Sequence, residues 1–276
     1  MEGILVFVLG LILGSFANVC IYRMPRNMSV VKPASHCTGC NNFIKWYDNI
    51  PILSYIILRG KCRNCGSKIS FIYPSIEFIC GLLFLSMFFL FGFSYMLFPF
   101  CLLMFSLLVI TAIDFEFQII PDEISFMLMI VGVLTSFFNF MLGDTVFQRI
   151  LNSFIGLLAG GGSLFIVAVI GKWLFKKDAM GGGDIKLMAG VGAFVGWEKV
   201  LFAIFIASLL GSIVGIFLIL LKKIIKKQEI AFGPYLAIGS YAVLFLPSPN
   251  AVINYLMMLE ENFLVKYVFT NIQNLG

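Results

Sequence analysis

Charge is scarce in this 276-residue chain: Asp, Glu, Lys and Arg together make up 12% of it, while hydrophobic residues reach 61% and the mean hydropathy is +1.02. That composition excludes an ordinary soluble domain, in which about 25% of residues are charged. No basic stretch precedes the first apolar run, which continues into Asn18, Cys20, Tyr22 and Arg23; a retained first span fits this better than a cleaved secretory leader. No internal repeat is visible. The polar segment 23–73 holds only Gly39, Gly60 and Gly66 and no G-x-G-x-x-G, which excludes a Rossmann nucleotide site there.

What is present is a series of apolar stretches. About 17 to 25 such residues cross a bilayer as a helix, and candidates run near 3–22, 74–93, 95–113, 124–142, 150–171, 185–196, 199–221 and 231–247. The sixth is short for a span. The expected fold class is therefore an all-α polytopic membrane protein of about eight transmembrane helices, in contact with the lipid bilayer. It divides into a first helix (1–22), a small polar module (23–73), a helical bundle (74–247) and a C-terminal extension (248–276). In the extension, apolar Leu256, Met257, Leu264, Val265 and Val268 mix with Glu260, Glu261 and Lys266, as in an interfacial amphipathic helix.

Lys and Arg in short loops set membrane orientation. Eight of them, Arg23, Arg26, Lys32, Lys45, Arg59, Lys61, Arg63 and Lys68, face one acid, Asp48, in the module, which places it on the cytoplasmic side of the membrane. Alternation along the chain then puts Lys172, Lys176 and Lys177, and Lys222, Lys223, Lys226 and Lys227, on that side too. Flanking charge accounts for these bases without a nucleic-acid partner. Oligomeric state is not encoded in any of these features.

The module carries Cys37-Thr-Gly-Cys40 and Cys62-Arg-Asn-Cys65. Two CxxC knuckles match a four-thiolate zinc site, each offering two sulfurs to a tetrahedral ion. A redox-active CxxC is the alternative, and His36, the only histidine, is a possible substitute ligand. A closed four-sulfur shell has no open position, so the zinc would be structural. A module of about 50 residues needs such a staple.

Two acids stand out. Asp114 and Asp184 sit at edges of long apolar runs, the second within Gly181-Gly182-Gly183-Asp184-Ile185-Lys186. Acids in membrane segments are rare and by default mark function. A facing pair would share one proton and activate water, as in aspartic proteases; a proton or ion-coupled transporter would also use such carboxylates. The glycine run reads either as a place where unusual dihedrals let a substrate backbone approach or as a helix-breaking turn. Lys186 either tempers the Asp184 charge or reaches for the interface. Glu77 either touches substrate or methyl-transfer chemistry, or pairs with Arg23. Asp122, after Pro121, is a loop charge or a helix cap, Glu116 and Glu123 are loop charges, and Asn18 is an interhelical hydrogen-bond former.

Taken in order, Gly14-Ser15-Phe16-Ala17-Asn18-Val19 with Arg23 and Pro25, Ser35-His36-Cys37, Trp46-Tyr47-Asp48-Asn49-Ile50-Pro51, Arg59-Gly60-Lys61-Cys62, Tyr73-Pro74 with Glu77, Ile113-Asp114, Pro121-Asp122, Gly181 to Leu187 and Phe232-Gly233-Pro234 closely resemble the type IV prepilin peptidases. The resemblance spans about residues 10 to 240. It departs at Ile72, where an arginine commonly precedes the Tyr-Pro. It implies a GxGD-type aspartyl protease with catalytic Asp114 and Asp184 and with type IV prepilin or pseudopilin precursors as partners. These carry a short basic leader, a glycine before the cut and an apolar helix after it. It also implies N-methylation of the new terminus from S-adenosylmethionine, at a cofactor site the sequence does not locate.

Overall fold

A computed structural model describes residues 1–176, 180–221 and 231–246. The chain is helical: α1 (Glu2–Arg23), α2 (Leu53–Ile57), α3 (Ile72–Phe91), α4 (Leu97–Phe117), α5 (Asp122–Thr135), α6 (Val146–Phe175), α7 (Gly182–Leu220) and α8 (Gly233–Phe245), with short 3-10 turns between. No strand occurs among the described residues, only two isolated bridges, His36 with Phe43 and Lys61 with Lys68. The expected extension 248–276 and the basic cluster Lys222 to Lys227 lie outside the described residues.

Among the described residues, five helices, α1, α3, α4, α6 and α7, are long and apolar enough to cross a membrane, against the eight stretches expected. The difference has two causes. The stretches 185–196 and 199–221 are two helices, as expected, running on from one another within α7 but broken at Gly196, whose φ of +79° and ψ of 173° are not helical; the first of them is too short to cross alone. At 14 and 13 residues, α5 and α8 reach only about 21 and 20 Å at 1.5 Å per residue, short of the ~30 Å hydrocarbon core. The break in α7 frees carbonyls that side chains recapture: Asn139 Nδ2 donates to Phe194 O at 2.7 Å, and Ser153 Oγ to Ala193 O at 2.8 Å. Pairing freed backbone groups in this way is what lets a helix break inside a bundle.

Lipid tails are as apolar as leucine, so bundle helices associate through close packing at small residues. Gly156 and Gly160 of α6 lie against α7 so closely that a methyl group at either would run into the carbonyls of Gly192 and Met188. Likewise Gly14 of α1 leaves room for the backbone of α3, where an added Cβ would sit 2.6 Å from Glu77 Cα. Phe84, Phe100, Phe194, Leu103, Met104 and Ile110 fill the core, and Phe100 meets Phe194 edge-on at 5.7 Å. Gly160→Val is expected to cost about 1–3 kcal/mol through overpacking, read as a lower melting temperature in detergent. Gly162→Ala, with nothing within 4 Å of the new methyl, should leave the melting temperature unchanged.

α3 and α4 are consecutive and joined by a short turn, so the start of α3 and the end of α4 lie at the same end of the bundle. The module of residues 24–71 caps that end. Arg23 ties it down by donating to Ser29 O and Pro33 O at 3.0 and 2.7 Å.

Candidate active site and metal centre

Asp114 lies one turn from the end of α4 and is only 5% exposed. A buried carboxylate needs a partner, and Asp114 has one: its Oδ2 accepts the backbone N–H of Gly233 at 2.8 Å. This donor is the first residue of α8, whose unpaired N-terminal amides favour an anion. Gly233 is required sterically, because a Cβ there would stand 2.7 Å from Asp114 Oδ2. Gly233→Ala is therefore expected to push the carboxylate aside while keeping the amide. Overpacking of this kind costs about 1–3 kcal/mol, read as a lower melting temperature in detergent.

Asp184 occupies the third position of α7, and the backbone amide of Gly181, the N-cap, donates to it. An acid there reaches back across the first turn like the acidic half of a capping box. Asp184 lies within coulombic reach of Asp114. The end of α4 and the starts of α7 and α8 thus converge on the two acids.

The glycine run corrects one expectation. None of Gly181, Gly182 and Gly183 has a positive φ; Gly181 is extended at φ −69°, and the other two are helical. Gly183 is small because Ile120 presses on it, with a Cβ there only 2.7 Å from Ile120 Cβ. Gly181 and Gly182 are exposed.

Lys186 does not turn toward Asp184. Its Nζ binds both carboxylate oxygens of Asp122 at 2.7 and 2.8 Å and lies over Phe126. Asp122 is thus an ion-pair partner joining α5 to α7, and no side chain caps α5. With both side chains partly exposed, this pair adds at most about 1 kcal/mol. Glu116 and Glu123 are exposed. Glu77 does not pair with Arg23: its Oε2 accepts the backbone N–H of Ile52 at 2.8 Å. Asn18 bonds across helices as expected, donating to Tyr73 O at 3.1 Å.

In the module, the sulfurs of Cys37, Cys40, Cys62 and Cys65 all lie within 4.8 Å of one another and are unbridged. Cys37 and Cys65 are 3.8 Å apart, the spacing of about 3.8 Å that tetrahedral ligands on ~2.3 Å Zn–S bonds require. The donor set fits one tetrahedral ion. His36 stands apart from it, with Nδ1 3.4 Å from Ala34 O. The two knuckles repeat one design that no sequence period reveals. The residue after the second cysteine, Asn41 or Gly66, has positive φ and donates to the carbonyl of the first. Cys37 and Cys62 donate in turn to Asn42 O and Ser67 O. The Ser67 hydroxyl, then the amides of Gly39 and Cys40, pull the Cys37 thiol down to about 6, and Ser67 lowers Cys65 as well. Beside the cluster, Arg63 clamps Asp48 at 2.7 Å and holds its carboxyl below the usual range. Cys20, Cys80 and Cys101 are buried packing residues of α1, α3 and α4.

Known proteins resemble the chain over most of its length. Residues 8–91 match the bacterial peptidase A24 N-terminal domain, and residues 101–216 match the type IV leader peptidase family. A prepilin leader peptidase/N-methyltransferase of Neisseria gonorrhoeae is 34% identical over 260 residues, covering 86% of this chain and 87% of the relative. One of Bacillus subtilis is 34% identical over 237 residues, covering 86% and 91%. One of Myxococcus xanthus is 37% identical over 217 residues, covering 79% of this chain and 63% of the relative, so the chain spans under two thirds of that protein. No solved structure matches. With two family models side by side along the chain and relatives above 30% identity matched over most of their length, this chain belongs to the type IV leader peptidase family.

Proposed function

We propose that this protein is a multi-pass aspartyl endopeptidase of the bacterial cytoplasmic membrane. It removes the basic leader from type IV prepilin or pseudopilin precursors after a glycine, at the cytoplasmic face, and then methylates the new amino terminus. The observation that carries the reading is the convergence of Asp114, its Gly233 amide donor and Asp184 at one end of the bundle, in a chain whose relatives are named for this activity.

Two carboxylates that face one bound water do not both stay ionised, so in this reading the pair holds one proton between them. The ionised member takes a proton from water as it attacks the scissile carbonyl; the protonated one donates to the carbonyl oxygen, and the pair then returns a proton to the leaving amine. Exposed Gly181 and Gly182 leave space for an extended substrate beside Asp184, whose backbone would pair as an added strand does. The leader would lie among the module's bases and the apolar stem in the bilayer. Zinc, held by Cys37, Cys40, Cys62 and Cys65, stabilises the module and takes no part in cleavage. S-adenosylmethionine supplies the methyl group. None of the relatives named above carries a transport name, and the transporter reading is not favoured.

Co-expression with a prepilin tests this, reading precursor size and amino-terminal mass. Wild type should give shortened, monomethylated pilin; full-length precursor beside well-folded wild-type enzyme would overturn the peptidase reading, and cleaved but unmethylated pilin the methylation half.

A further inference from the structure

The module turns an apolar face outward: Leu53, Ile56 and Ile57 of α2, with Phe71 and Ile72 at the start of α3, are between 57% and 71% exposed. Patches of this kind mark contacts with a protein or a membrane. Their depth follows from α3. Its 20 residues rise about 30 Å, the thickness of the hydrocarbon core, so Ile72 stands at the edge of that core and Glu77 about 7.5 Å inside it. Ile52, the N-cap of α2, donates its amide to Glu77 Oε2 at 2.8 Å. A helical side chain leans toward the N-terminus of its own helix, so this bond holds α2 level with the first turn of α3. The Tyr55 ring, edge-on to Phe71 at 6.2 Å, ties α2 to that turn a second time. Phe78 and Leu82, at helical spacing from Phe71, are exposed as well, so the patch runs on into the lipid-facing stripe of α3.

We infer that this face docks onto the bilayer at that end of the bundle, with the apolar side chains of α2 among the upper acyl chains and anionic phospholipid headgroups around the bases beside it. The inference goes beyond cleavage and methylation and rests only on the chain's crossing of a membrane. A helix of five residues is too short to be stable alone in water, and an interface that takes its apolar side supplies the missing burial. Charge selects the occupant. Segment 23–73 holds eight bases and one acid, Asp48, which Arg63 already clamps. Arg59 and Lys61 follow α2 within four residues and are exposed, with stems that can lie along apolar surface while their charges reach phosphate. Apolar side chains flanked by bases suit a segment lying in the membrane surface, and basic clusters draw anionic lipid. A basic leader peptide, or a second copy of the module, would meet like charge there.

The test uses the full-length protein in nanodiscs of phosphatidylethanolamine and phosphatidylglycerol. Photoreactive p-benzoylphenylalanine replaces Ile56, Ile57, Leu82 or Asn64 one at a time, and intact mass is read after irradiation. All four positions are exposed, so melting temperature should stay at the wild-type value. Positions 56 and 57 are expected to gain the mass of one phospholipid, as position 82 in the span does, and position 64 in the second knuckle to gain none. Phosphatidylglycerol should appear in the adducts at 56 and 57 at more than about twice its share of the disc lipid, because the adjoining bases concentrate it. Lipid on position 82 but not on 56 and 57, crosslinks from 56 or 57 to a second chain in place of lipid, or equal lipid labelling at position 64 overturns the assignment. Phosphatidylglycerol at its bulk share overturns the part given to the bases. None of these readouts depends on cleavage or methylation, so their failure leaves the proposed reaction standing.

Discussion

Asp114→Asn or Asp184→Asn is expected to slow prepilin cleavage by about 10²–10⁴-fold, the usual contribution of a positioned acid or base, and the double variant to go little further. Groups that act as one unit lose most of their effect with the first deletion. Asparagine is nearly isosteric and at position 114 still accepts the Gly233 amide, so the helix ends should stay in place. What it cannot do is exchange the proton that the proposed mechanism passes between water, carbonyl and leaving amine. Initial rates on a purified prepilin in detergent check this, with zinc content as the control for folding. A single variant that keeps half the wild-type rate would remove the two carboxylates from the mechanism.

How far the sequence carried depends on whether a property is local. The knuckles were readable because CxxC spacing is a matter of a few consecutive residues, and the four sulfurs do meet. The two acids stood out because a carboxylate in an apolar run costs too much without a purpose; their role is what the asparagine variants test. The break near Gly196 was readable from the two apolar stretches on either side of it, but the side chains that take up the freed carbonyls there, Asn139 and Ser153, come from elsewhere in the chain and no local pattern announces them. Gly181 to Gly183 suggested unusual dihedrals, yet Gly183 is small because of Ile120, a neighbour no local pattern announces. The partners of Asp114 and Glu77 are backbone amides, Gly233 and Ile52, 119 and 25 residues away. Side-chain identity encodes neither, although Gly-Pro at the start of α8 marks a helix N-terminus placed to receive an anion.

Removing the metal should have the largest effect of all on stability, and only on one part of the molecule. Structural zinc binding contributes apparent free energies of about 10–16 kcal/mol. A domain of about 50 residues, at about 0.05–0.15 kcal/mol per residue, holds only about 2.5–7.5 kcal/mol. The metal term exceeds everything the module has, so Cys62→Ser or strong chelation is expected to unfold residues 24–71 outright. The bundle should survive, because α4 to α8 pack through their own glycine contacts and core aromatics. Elemental analysis should find one zinc per wild-type chain and none in Cys62→Ser, and limited proteolysis should then cut within 24–71 while sparing α4 to α8. Loss of the module also frees Glu77 from Ile52. Asp114 should keep the Gly233 amide at the start of α8, so that cleavage persists at a reduced rate. A Cys62→Ser protein that keeps its zinc, or resists protease within the module, would show that the four sulfurs do not hold that part of the chain together.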